Sequence, residues 1–133
     1  MANRSSANYI SYDLRPAKQS ERRILLEVLR AASKCSALIG DYRYIGMGAN
    51  RFYDFLLMHK YLGVSEMISL ERDKKMYKRA KYNCPYGFIE VLNKSTSTFI
   101  ASDPFLKNSI VWFDYDGGLS ANVIEDVAEI GRR

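Results

Sequence analysis

Residues 41–63 read DYRYIGMGANRFYDFLLMHKYLG, and the fold turns on this stretch. Tyr42 to Ile45 is a short run suited to a buried strand. Gly46-Met47-Gly48 follows. From Asn50 to Tyr61 apolar residues then recur at helical spacing, putting Phe52, Phe55, Leu56, Met58 and Leu62 toward a sheet, and Gly63 is a natural stop. Strand, glycine turn, helix is the order that a phosphate- or nucleotide-binding corner needs. Residues without a Cβ let the backbone turn sharply and approach a ligand, and the first amides of the following helix point to the same place. Glycines also occupy such corners for steric reasons, so the pair carries little weight alone.

Working outward, residues 1–19 are polar and irregular. Ser20 is a suitable N-cap for a helix from Glu21 to about Ile39. Its stripe is Ile24, Leu25, Val28, Leu29, Ala32, Cys35 and Leu38, and Gly40 is a stop. Downstream, Glu66 to Glu71 reads as a second strand. Asp73 caps a basic helix running to about Tyr82, and Asn83-Cys84-Pro85 breaks the chain. Gly87 to Leu92 is a third strand, and Ser97 to Phe105 is a short helix or turn. Asn108 to Phe113 is a fourth strand, apolar enough to be central. Ala121 to Ile130 is a last helix, capped by Ser120.

This alternation predicts one α/β domain over residues 1–133, mainly parallel, with helices on both faces and right-handed crossovers. Ligands in such sheets bind beyond the carboxyl ends of the strands. Three stretches fall there: Gly46 to Ala49, Glu71 to Asp73, and Asp114 to Gly118. Glu71 ends the second strand, 25 residues after Gly46. In nucleotide-binding βαβ units an acid near this distance accepts hydrogen bonds from ribose hydroxyls, which a carboxylate does well because it takes both protons. The alternative for Glu71 is a surface acid paired with Arg72 or a lysine.

With YIGMGA after the first strand, SLERD at the end of the second and FDYDGG at the end of the fourth, the chain resembles the N-terminal half of a class I S-adenosylmethionine-dependent methyltransferase. YDLRPAKQSERRILLE, YIGMGANRFYDFLLMHKYLG and MISLERD are also similar to a group of bacterial putative O-methyltransferases. The resemblance implies a Rossmann-like three-layer sandwich with strand order 3-2-1-4 and S-adenosylmethionine as cofactor. It implies that Gly46, Met47, Gly48, Glu71 and Arg72 hold the cofactor, and that Asp114 and Asp116 face the methyl acceptor. Two positions depart from the family pattern. An acid is common two residues before the first glycine, where Tyr44 stands, and a third glycine two residues after the second, where Asn50 stands. The first loss removes a contact to the cofactor's amino-acid end; the second adds bulk. The family usually has seven strands against the four read here, so a truncated or partnered half-domain is expected. A second copy or another chain would cover the fourth strand near Trp112.

Asp114 and Asp116 admit three readings: a turn in Asp-Tyr-Asp-Gly-Gly, an acceptor contact, or part of a divalent metal site. No metal ligand set is assigned. Arg15 and Lys18 could fold over an anionic group or be solvated, and Tyr115 is counted with them as a substrate-side candidate. His59, the only histidine, reads as a packing residue, and no Ser-His-Asp set is visible. Tyr42, Tyr44, Phe52, Tyr53, Phe55 and Trp112 read mainly as core. A dinucleotide site would need glycine where Arg51 stands. Cys35 and Cys84 read as reduced and partly buried. With no apolar run of bilayer length and no secretory h-region, a cytoplasmic protein without a membrane partner is expected. The net charge of +5 is concentrated at Lys74 to Lys81. Lys74, Lys78 and Lys81 are either a solvated face or a nucleic-acid contact. Two functions follow: an S-adenosylmethionine-dependent methyltransferase, or its cofactor-binding half, and a non-catalytic binding or assembly module on the same fold.

Overall fold

The computed structural model describes residues 16–35, 38–49, 51–115 and 118–133. Its strands are β1 (Arg43–Gly46), β2 (Glu66–Leu70), β3 (Ile89–Leu92) and β4 (Ser109–Trp112). Its helices are α1 (Pro16–Cys35), α2 (Tyr53–Leu62), α3 (Lys74–Asn83), α4 (Thr96–Ser102) and α5 (Ala121–Gly131), with a 3-10 turn at Ile39–Asp41. The sheet is parallel throughout, in the order β3-β2-β1-β4. Ile45 lies opposite Ile68 on one side and Val111 on the other. This is the Rossmann-like α/β arrangement that the sequence predicts, with β4 at an edge.

Side-chain alternation divides each strand between two cores. Tyr44, Met67, Ile89 and Ile110 pack with Phe52, Phe55, Met58, Val64 and Ala80 on the α2 and α3 face. Ile45, Ile68 and Leu70 pack with Phe99 of α4 on the other. A central parallel strand buried on both faces must be apolar at consecutive positions, which is why β1 is buried from Tyr44 through Gly46.

Several helix ends follow the local chemistry. Asp73 accepts the Met76 amide at 2.8 Å, Ser120 accepts that of Val123, and Gly63 closes α2 at φ 71°. Others correct the sequence reading. Ser20 is no cap: it lies inside α1, helical already at Pro16, and its hydroxyl donates back to the Pro16 carbonyl. Gly40 does not end α1, whose described residues are Pro16–Cys35; it lies in the 3-10 turn. Cys35 is exposed rather than partly buried. The buried stripe of α1 is also rotated from the expected one. Leu25, Leu26 and Leu29 face the core, while Ile24 and Val28 are exposed. Arg22 sets this rotation, because its ion pair with Asp54 of α2 draws the 22-25-26-29 face inward. Finally, α2 begins at Tyr53 rather than Asn50. Ala49 and Phe52 adopt left-handed φ of 45° and 52°, inserting a strained connection between glycine turn and helix.

On the α4 face, Arg43 forks onto Asp103 through bonds of 2.9 and 2.8 Å, tying the start of β1 to the end of α4. Among the described residues no helix is long and apolar enough to cross a membrane. The hydrogen bonds from Arg43, foremost, hold the Asp103 carboxyl below its ordinary pKa of 3.8. Its stabilisation is therefore complete above that value and lost as pH falls through the lower folded pKa. Asp103→Asn should cost about 2 kcal/mol at neutral pH, and a smaller difference should remain at pH 2 in paired urea melts.

Candidate functional site

The site begins with a tyrosine. Tyr44 and Gly46 stand two apart on β1 and so share a face. The Tyr44 ring lies forward along the strand, and a Cβ on Gly46 would sit 2.9 Å from its hydroxyl oxygen. Any side chain at 46 would displace the phenol. Gly48 is tighter still. A Cβ there would come within 2.5 Å of the Phe52 ring and 2.8 Å of the Ser69 hydroxyl, and the Gly48 amide donates to that hydroxyl at 3.0 Å. Gly48 therefore answers a packing need, and its amide is engaged by β2.

Charge gathers over the Tyr44 phenol. Arg22 reaches down from α1 and donates Nε–H to Asp54 of α2, with its guanidinium 4.6 Å from the Tyr53 ring centroid. Asp54 stands in the first turn of α2, where a carboxylate suits the helix dipole. One turn earlier on α1, Lys18 donates to Asp114 just past β4 at 2.6 Å, and also meets the exposed Glu21. Burial, chiefly, pushes the Tyr44 phenol well above its ordinary pKa; the charges of Asp54 and Asp114 add to this, and Arg22 opposes it. Burial likewise raises the Asp54 carboxyl, against the pull of Arg22, with a further rise from Asp114 and a fall from Lys18. Each of these groups feels the others, so α1, α2, β1 and the β4 exit converge on one spot at the carboxyl end of the sheet.

Glu71 stands at the exit of β2. Its backbone amide continues the ladder to the Leu92 carbonyl at 3.0 Å, and its carboxylate accepts the Asp73 amide at 3.0 Å. Burial raises its pKa, offset by that hydrogen bond. Asn93 donates to the carbonyls of Glu71 and Arg72, fixing the corner before α3. Gly46 pairs with Ser69 in the β1–β2 register, so the turn and Glu71 leave adjacent strands at the same end.

Lys18 and Asp114, read separately in the sequence, thus meet in an ion pair. Arg72 is exposed beside Glu71. Tyr115, a substrate-side candidate, has its hydroxyl on Thr96 and Asp126, both at 3.1 Å. Asp126 is buried and also accepts from Thr96 and Ser97, so Tyr115 fastens the β4 exit to α4 and α5. Arg15, Asn50 and Asp116 lie outside the described residues. His59 bonds the Val64 carbonyl through Nδ1 at 2.9 Å and packs on Tyr86 and Phe88, as a packing residue should.

Sequence reasoning missed Arg22, Asp54, Ser69 and Asp126. Arg22 carried one usable signal: a charge in register with Leu25, Leu26 and Leu29, on what proves to be the inner face. Asp54 and Asp126 gave none, since an acid on an amphipathic helix is ordinarily solvated.

A parallel 3-2-1-4 sheet, with a glycine turn leaving β1 and an acid leaving β2, defines an α/β domain of the methyltransferase type. Residues 10–133 match the model of a family described as putative O-methyltransferase, and the chain belongs to that family. Comparison with curated proteins finds no match.

Because Phe52 and Ser69 crowd Gly48, Gly48→Ala should destabilise the fold by about 2 kcal/mol through overpacking. Gly87→Ala meets no neighbouring atom within 4 Å and should change stability by about 0.5 kcal/mol at most. Chemical denaturation of the two variants beside the parent checks the contrast.

Proposed function

We propose that the chain binds S-adenosylmethionine across the Gly46–Gly48 turn and Glu71 and directs its methyl group to an oxygen acceptor. One observation carries this reading. In a chain of the O-methyltransferase family, the turn and the acid leave neighbouring parallel strands, tied together by the Gly48–Ser69 hydrogen bond. The Glu71 carboxylate takes the Asp73 amide and feels that of Arg72, and its two oxygens have capacity beyond these for the two donors of a ribose diol. Met47 and Arg72 flank the two contact points. The cofactor would supply a methyl on a sulfonium, an activated carbon open to displacement; the protein's part is placement. Asp114, held by Lys18 at the β4 exit, and Asp116 beyond it are assigned to the acceptor side, with Arg15 and Lys18 for an anionic acceptor. An aspartate there would orient an acceptor hydroxyl and take its proton.

Residues 1–133 are read as one domain acting in the cytoplasm. The outer edge of β4, near Trp112, is read as the side where a second copy or partner chain pairs. Calorimetry should detect S-adenosylmethionine binding to the purified chain, and Glu71→Ala should weaken it at least about tenfold. Absence of heat from a folded sample at high concentration would overturn the reading.

A second reading, a binding module for nucleic acid, is favoured by α3. Its Lys74, Lys75, Lys78, Arg79 and Lys81 equal the whole net charge of +5, and the helix has no acid. Among the described residues no carboxylate pairs with Lys74, Lys75, Lys78 or Arg79, and Tyr82 beside them is 91% exposed. Cations in a first turn oppose the helix dipole, so helix stability does not account for Lys74 and Lys75. Under this reading, changing Lys74, Lys78 and Lys81 together to Ala should abolish salt-sensitive retention of single-stranded RNA in a filter assay. Unchanged affinity would dismiss the face as a site.

A further inference from the structure

Among the described residues Arg22 is the least settled group. Its side chain is only 10% exposed, its Nε is engaged by Asp54, and its Nη1 is buried with no hydrogen-bond partner among the described residues. A buried guanidinium nitrogen without an acceptor is costly, and native folds rarely leave one. Its guanidinium lies over the Tyr53 ring of α2, and its charge acts on the Tyr44 phenol, whose hydroxyl lies against Gly46. The surrounding groups give the class of acceptor. Lys18 and Arg22 face Asp54, Asp114 and the exposed Glu21, so the cluster has no positive charge to spare. A phosphate dianion brought against Arg22 would leave its second charge unmatched among these carboxylates. A zwitterion, carrying a carboxylate and an ammonium, adds no net charge and meets a partner for each end.

We infer that Arg22 receives the carboxylate of an α-amino-acid headgroup at the end of β1, with Asp54 as the residue that positions it. This rests on the S-adenosylmethionine reading above, and identifies which residues of this chain would take that cofactor's amino-acid end. It also answers the departure at Tyr44. Where the family commonly has an acid on β1, this chain has a phenol, and the carboxylate facing the same place comes from Asp54 on α2.

Two nucleosides isolate the contribution of the headgroup, and a variant assigns it to Arg22. S-adenosylhomocysteine carries the headgroup, and 5′-methylthioadenosine has the same adenosine and sulfur without it. By calorimetry on the intact chain, S-adenosylhomocysteine should bind about tenfold to a hundredfold more tightly, the range of a charge-assisted hydrogen bond. In Arg22→Gln, which retains a donor toward Asp54, that gap should close to within about threefold while methylthioadenosine affinity holds. Equal affinity of the parent for both nucleosides would refute the Arg22 assignment and leave the cofactor reading standing. So would a gap that survives in a folded Arg22→Gln variant. If neither nucleoside binds the folded parent, the cofactor reading is the one that fails, and the Arg22 assignment falls with it. If Arg22→Gln does not fold, the same two titrations of Arg22→Lys, which keeps the cation but lacks the Nη1 donor, decide: the gap should narrow there, and an unchanged gap would refute the assignment.

Discussion

The contact between Gly48 and β2 organises this end of the molecule. A backbone amide donates to the Ser69 hydroxyl at 3.0 Å while the Phe52 ring closes on the same α-carbon. That double contact draws the turn against the neighbouring strand. It also explains the strain beside it. For Phe52 to reach Gly48 and still start α2, the chain passes through left-handed conformations at Ala49 and Phe52. Phe52 is fully buried and packs edge-on against Phe55, so a core contact offsets the strain. The glycine at 48 is thus structural first. Any role in ligand contact falls to the backbone around it and to groups arriving from other elements.

Those groups arrive mainly through α1. The helix is lightly docked, with much of its apolar surface exposed, yet it places Lys18 and Arg22 over the carboxyl end of the sheet. Two ion pairs hold it there, one to α2 and one to the β4 exit. Breaking a buried pair such as Arg22–Asp54 leaves an uncompensated charge, so α1 orientation and cluster integrity are coupled. The Asp126 node plays the corresponding part for α4 and α5, where three hydroxyls converge on one carboxylate. The outer edge of β4 therefore belongs to a strand whose exit is firmly placed.

Much of the fold was legible because its signals are local. Buried parallel strands need consecutive apolar residues, and β1 to β4 stand within two residues of their expected limits. Asp73, Ser120 and Gly63 behave as caps through contacts a few residues away. Alternation of strand and helix, with right-handed crossovers, was enough for a parallel sheet, and the family resemblance supplied its 3-2-1-4 order. Errors cluster where a distant partner overrode local preference. The inner face of α1 turned to follow Arg22, and the start of α2 moved to let Phe52 pack.

Through the family resemblance the sequence carried the strand order, and by itself it determined the parallel sheet and the positions of the Gly46–Gly48 turn and Glu71 at strand ends. These follow from periodicity and from residues whose backbone preferences act within a few positions. Only the tertiary structure decided that Tyr44 lies over Gly46, that Lys18 meets Asp114 across 96 positions, and that Arg22 and Asp54 face them. Burial and electrostatic coupling are properties of the assembled surroundings, and a side chain carries no mark of which charges will be brought against it.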